Sequence, residues 1–456
     1  MAPKTVALPH EPGFEEATRV FNLAAVPEPA AALTAHTIDD IRAALRYAEA
    51  NGSPVRILAT GHTAAALRPM NGAVLVRTAL RGEVEVDAAN RVARVPAGTR
   101  WGAVVEAAAP HGLTAPHGSS PTVGVVGYSL GGGMSAYGRR FGLAANSVRA
   151  IELVTADGEL RRVDAGTDAE LFWALRGGGG GFGVVTAIEI ALFPASSVHT
   201  GAAFWPARHA ADLLATWRAW TLDAPDEVTT SLRVLNLPPL PGVPPALAQG
   251  PVICVDGAVR CPDADQEATA RRQAADLLDP LHAIAEPVMD TWQRAEPSAV
   301  LAAHMDPTDP VPVVGEHMLL SELDDGGEAA LLRVIGEGSG SPLVAAGLRQ
   351  LGGAYSRPDL AGGVLNQLDA RFSYAGSGVP MGPVTVEALR KHAAKVRAAL
   401  SRWDTGRTVP SFVEHVEQPQ GHLTPDQVAA VDAVRRRVDP AGRFRGDIAP
   451  NATALD

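Results

Sequence analysis

Residues 171–186 read Leu171-Phe172-Trp173-Ala174-Leu175-Arg176-Gly177-Gly178-Gly179-Gly180-Gly181-Phe182-Gly183-Val184-Val185-Thr186. The run of glycines can be aligned to G-x-G-x-x-G, the fingerprint of a dinucleotide-binding βαβ unit. That fingerprint must follow a strand and open a helix, with an acidic residue about 20 positions on. Here the order is reversed: the glycines follow a helix expected around Asp168–Leu175 and precede a strand expected over Val184–Leu192. A doubly wound NAD fold does not fit, and the glycines serve some other close backbone approach.

Working outward, a second glycine-dense stretch runs from Pro116 to Gly133, reading PHGSSPTVGVVGYSLGGG. Backbone this small can supply consecutive N–H donors to an anion. Further upstream, Ala35–Asn51 has helical apolar spacing with Thr37 as N-cap and Asp39 and Asp40 in the first turn. Val55–Ala59 is a short apolar strand ending at Gly61-His62-Thr63. Strands at Ala73–Val76, Val84–Asp87 and Val92–Ala97, a helix at Trp101–His111, and strands at Val148–Ala156 and Glu159–Val163 complete a mixed region closed by Pro194. Beyond Ser196 helical patterns (Arg208–Leu222, Ala264–Leu278, Pro383–Ser401) alternate with strand-like runs at Pro251–Val255, Val313–Leu320 and Leu365–Tyr374. A last helix, Thr424–Arg437, has Thr424 as N-cap and Pro425 at its first position.

The 456 residues are 46% hydrophobic and carry 39 Lys+Arg against 50 Asp+Glu, a net charge of −11. A large core is available, and the acidic balance argues against a nucleic-acid partner. No apolar run is long enough to cross a bilayer, and the first residues lack the pattern of a secretory leader, so no membrane association and a cytoplasmic location are expected. Cys254 and Cys261 are too few for a disulfide framework, and no histidine pair has metal-ligand spacing, so no metal is expected.

The order of four motifs, strand-GHT, HGSSPTVGVVGYSLGGG, LFWALRGGGGGFGVVT and RRRVDPAGRFRGD, resembles the FAD-linked oxidases of the vanillyl-alcohol oxidase superfamily, in particular the berberine-bridge-enzyme-like branch with its PCMH-type FAD-binding domain. The resemblance implies an α+β fold. Its FAD-binding domain spans residues 1–195, a substrate domain with an antiparallel sheet backed by helices spans 196–405, and residues 406–456 return to the FAD domain. It implies that Leu58, Ala59, Thr60, Gly61, His62 and Thr63, with Leu67 just beyond, wrap the FAD pyrophosphate, and that His62 bonds covalently to the flavin; alternatively His62 merely caps the turn. The family usually has arginine at the place of Leu58 and glycine at that of Thr60, so the pyrophosphate charge must be met elsewhere. Members with a second flavin link have cysteine where this chain has Ser120, so a single link is expected.

By the same resemblance His117, Gly118, Ser119, Ser120, Val123, Gly124, Gly127, Tyr128, Gly131 and Gly132 border the flavin, Val184 and Val185 meet its adenine side, and Phe444 through Asp447 return beside the isoalloxazine. A valine at 123 favours reaction with O2, or simply packs. His117 is either near the flavin edge or a hydrogen-bonded loop residue. Candidate bases are Tyr137, Glu322, Asp369 and Tyr374. Each has a plainer role available: an Asp369–Arg371 ion pair, a solvated strand end for Glu322, packing for the tyrosines. Where the family often has Tyr-x-Asn-Phe, this chain has Val409-Pro410-Ser411-Phe412, which removes the usual polar groups. The implied activity is an oxidase taking a hydride from a small organic alcohol or amine, a bacterial secondary-metabolism intermediate, with O2 as acceptor. Oxidative cyclisation or rearrangement, an O2-independent dehydrogenase and a non-catalytic binder of a small molecule are the alternatives.

Overall fold

The computed structural model describes residues 5–448; residues 1–4 and 449–456, the outer ends of the expected domains, lie outside the description. The helix Ile38–Ala50 begins with a reciprocal cap. Asp40 N–H donates to Thr37 Oγ1 at 3.1 Å and Thr37 N–H donates to the Asp40 carboxylate at 3.0 Å, a pairing worth about 1 kcal/mol. The helix covers a three-stranded parallel sheet ordered Ala31–Ala35, Val74–Thr78, Val55–Leu58. The chain's end completes this layer: Val55 N–H donates to Arg443 O at 2.7 Å and Arg445 N–H to Val55 O at 3.0 Å.

A five-stranded antiparallel sheet follows, ordered Glu85–Asp87, Val92–Pro96, Val184–Ala191, Val148–Val154, Leu160–Asp164. Its inner face packs on the helices Trp101–Ala108, Ala169–Leu175 and Pro425–Val438. The third sheet has eight antiparallel strands. In spatial order they are Met289–Asp290, Ser197–Pro206, Val252–Cys261, Val228–Leu235, Ala345–Gln350, Phe372–Gly378 and Val314–Leu320, with Gln293–Ala295 also beside Ser197–Pro206. Alternation sends Leu232, Val234, Leu348, Tyr374, Met318 and their neighbours into a core shared with the helices Ala210–Thr221, Glu267–Ile284, Asp325–Ile335 and Val386–Leu400. The opposite face, with Ser231, Arg233, Arg349, Ser373 and Ala375, lines a large cavity.

The α+β class and the antiparallel sheet backed by helices are as expected. One strand differs: Leu365–Tyr374 is replaced by Phe372–Gly378. The cause lies at Leu365, whose N–H donates to Arg176 O and whose side chain packs against Gly177, where a Cβ would meet Leu365 Cβ at 2.4 Å. The segment is thus drawn off the sheet to cover the glycine run. Strands Ala31–Ala35, Ser197–Pro206 and Val228–Leu235 and the helix Asp325–Ile335 were not read from the sequence. The three strands are almost wholly buried, so they lack the alternation that marks a strand.

Candidate active site

The chain folds the Leu58–Thr63 loop by tying down its carbonyls. Phe21 N–H donates to Thr60 O at 3.0 Å and Asn22 N–H to Gly61 O at 3.1 Å. Gly61 holds φ 75°, and a Cβ there would fall 2.7 Å from Val20 Cβ, so only glycine fits. The N–H groups of Thr60, Gly61, His62 and Thr63 donate to no acceptor among the described residues. The second glycine run is built alike. Arg435, on the last helix, donates to Gly180 O at 2.8 Å and to Gly178 O, while its guanidinium lies 4.9 Å from the Phe182 ring centroid. The N–H groups of Gly178 to Gly181 have no acceptor among the described residues. Two loops therefore present free donors to one space.

That space is a cavity of about 610 Å³ between the two glycine runs and the polar face of the eight-stranded sheet, within the usual range for a small-molecule site. It is bordered by Leu58, Ala59, Thr60, Gly61, His62, Thr63, Leu67, Gly118, Ser119, Ser120, Val123, Gly124, Gly127, Tyr128, Gly131, Val185 and Asp447. A Cβ on Gly127 would meet nothing within 4 Å, so this wall is open backbone. His62 is stacked on Phe21 and its Nε2 lies 3.2 Å from Thr122 Oγ1. Burial pushes its pKa down to about 4, leaving the ring neutral at physiological pH.

Four residues expected at the flavin do not border the cavity. His117 is fully buried behind the loop, its Nδ1 2.6 Å from Gly118 O and its ring edge-on to Tyr137. Gly132 faces Val409, Val184 packs under the parallel sheet, and Phe444 is buried in that same core while its N–H donates to Asp439. The four expected bases are also corrected. Tyr137 and Tyr374 are buried in apolar clusters because both project away from the cavity, and Tyr374 alternates into the helix-side core. Glu322 and Asp369 are exposed beside Arg371 and Arg402, in a separate surface groove, since the departure of Leu365 carries Asp369 out of the sheet.

Residues that the sequence did not single out take their place: Phe21, Arg233, Asp306, Arg349 and Glu414 border the cavity, as does Arg445 from the expected Phe444–Asp447 return. Arg233 is held by Asp256, which also accepts from Ser231 and contacts His304 Nδ1 at 2.9 Å. Arg349 donates to Met134 O, and neither it nor Arg445 has a carboxylate partner among the described residues. Glu414 lies two residues beyond the Val409–Phe412 segment, so a search around that segment for charged residues would have found it.

Residues 29–164 match the family described as FAD binding domain. (R)-6-Hydroxynicotine oxidase of Paenarthrobacter nicotinovorans is 31% identical over 188 residues, a stretch covering 41% of this chain and 41% of that relative's own length. Among solved structures, BBE-like 1 of Physcomitrella patens superposes with a TM-score of 0.81 at 18% identity, over 97% of this chain and 96% of that one. The 6-hydroxy-D-nicotine oxidase of Arthrobacter nicotinovorans does so at 0.80 and 22%, over 99% and 98%. The chain is an FAD-binding protein of α+β architecture. Over nearly its whole length it has the fold of these berberine-bridge-enzyme-like and 6-hydroxynicotine oxidase structures.

The residues fit FAD. Free N–H donors in the two loops match pyrophosphate oxygens, the open wall at Gly127 leaves room for a ring system, and Arg445 is a cation on the cavity border. Among the described residues no group of His, Cys, Asp and Glu could hold a metal ion, and no helix is long and apolar enough to cross a membrane.

Proposed function

We propose that this protein is an FAD-dependent oxidase that removes a hydride from a small organic alcohol or amine and passes the electrons to O2, forming hydrogen peroxide. The observation that carries this is the single cavity shared by the glycine loops and the polar face of the eight-stranded sheet, which gives a cofactor and a donor one common space. Bound FAD would supply the two-electron redox chemistry that no side chain provides. Residues 1–195 and 406–456 hold the cofactor in this account, and 196–405 the donor.

His62 is the attachment point, through one covalent bond. Its neutral ring, stacked by Phe21, is a nucleophile fixed in orientation, which supports this role. Ser120, with its hydroxyl against Thr122 Oγ1 at 3.0 Å, offers no second link. Arg233, Arg349 and Ser373 orient the donor. The names of the nicotine oxidases support oxidase chemistry on a small molecule. A donor from bacterial secondary metabolism and a cytoplasmic location complete the proposal; the two buried, unpaired cysteines fit a reducing compartment.

The test is an absorption spectrum of the purified protein, then acid precipitation of wild type and His62→Ala, then a peroxide-release screen of alcohols and amines. Yellow colour kept in the wild-type pellet and released from the variant is expected, with peroxide from at least one donor. A colourless protein would overturn the cofactor; colour with dye reduction but no peroxide would make it a dehydrogenase.

A further inference from the structure

Three carboxylates border the cavity. Asp447 is paired with Arg56 and accepts Arg68 N–H at 2.7 Å. Asp306 accepts Ser119 Oγ at 2.5 Å. The third, Glu414, has no hydrogen-bond or ion-pair partner for its carboxylate among the described residues; only its N–H is engaged, by Gln418.

Its position is built by a glycine. A Cβ on Gly315 would fall 2.5 Å from Glu414 Oε2, so the carboxyl group lies directly over that residue. Gly315 pairs with Ser377, whose strand lines the cavity through Ser373, Ala375 and Ser377. The carboxyl is thus laid along the donor-side wall, and any side chain at 315 would evict it. On the chain before it, Ser411 N–H donates to Gly131 O at 2.9 Å and Ser411 Oγ accepts Gly133 N–H at 3.2 Å. Both ends of the segment are anchored, one to the cofactor loop and one to the sheet.

The charged groups around it are accounted for. Glu316, the next residue on the Gly315 strand, is taken by Arg397 and by His415, and His415 is shared with exposed Glu417. Buried His317 contacts Thr408 and Ser373. Burial pushes Glu414 up to about 7, with Glu316 adding to the rise and His415 opposing it. A carboxyl so placed is half ionised near neutral pH, where a proton acceptor is most effective.

We propose that Glu414 is the group that accepts the proton from the donor's O–H or N–H, which restricts productive substrates to alcohols and amines bearing that hydrogen beside the oxidised carbon. The proton passes from oxygen or nitrogen to Glu414 Oε. Bound FAD would supply the acceptor for the hydride of the adjacent C–H, so that the donor's C–O or C–N bond would become C=O or C=N. This assignment rests on the proposed oxidoreductase activity.

Two measurements on the holoprotein test it. In the first, glutamate carboxyl carbons are labelled with 13C and titrated by NMR in wild type and Glu414→Gln. The resonance missing from the variant is expected to titrate near pH 7; titration in the ordinary carboxylate range overturns the assignment. In the second, the pH profile of kcat/KM is recorded with the donor found by the peroxide screen. Glu414→Gln is expected to lose on the order of a hundredfold and the limb near pH 7, with an unchanged visible spectrum, while Glu414→Asp regains part and Glu417→Gln behaves as wild type. An unaltered limb in Glu414→Gln overturns the proposal. A colourless protein would instead sink the cofactor reading and leave the NMR result standing.

Discussion

Phe21 and His62 lie face to face, with ring centroids 3.9 Å apart and planes 14° from parallel. The contact joins the segment after the helix Phe14–Thr18 to the cofactor loop, and Phe21 N–H holds Thr60 O in the same stroke. Removing the ring frees the imidazole to rotate without deleting its nucleophile. Phe21→Ala is therefore expected to keep the cofactor bound but lower the covalently held fraction, read as colour in the acid pellet relative to wild type.

Arg445 borders the cavity and has no carboxylate partner among the described residues, so its charge is available to an anion bound there. In a His62→Ala background, where binding is reversible, Arg445→Met is expected to weaken FAD on the order of tenfold, about 1.4 kcal/mol. Quenching of flavin fluorescence on titration into the apoprotein measures it. Unchanged affinity would remove Arg445 from the site.

Gly127 separates folding from binding. It lies within the helix Val125–Leu130, and a Cβ there points into open space. Gly127→Ala should leave the apoprotein as stable or raise it by about 0.5–1 kcal/mol, while crowding the cavity. Thermal unfolding of the apoprotein and cofactor content after purification should move in opposite directions.

Acid sensitivity follows from the buried histidines. Burial lowers His117 from 6.5 to about 4, and His62 likewise. In the folded protein each resists protonation that the unfolded chain accepts, so native stability is full above about pH 6.5, falls as pH drops toward 4, and levels below it. His117 alone accounts for about 3 kcal/mol across that window. Melting temperature of the apoprotein from pH 7.5 to 4 should decline in that range; a rise on acidification would contradict this account.

Much of this was written locally. Thr37 with Asp40, and Thr424 with Pro425, announced their helices because caps act over one turn. The cavity-lining loops were legible because glycine runs and His62 are rare signals. The donor side was not. Tyr374 and Asp369 were read as candidate bases and Glu414 was not, and what separates them is which way a strand faces and where Leu365 is pulled, both set by residues far off in the chain. A register question cannot be answered from one strand alone.

The cavity's loops depend on residues 435–447. Asp447 receives Arg68 N–H across 379 residues, and Arg435 grips the carbonyls of the glycine run. During synthesis Arg435 and Asp447 emerge long after the segments they hold, so those segments are first made ungripped. Removal of the helix Pro425–Val438 with the segment through Asp447 is expected to yield a pale protein that added FAD does not colour.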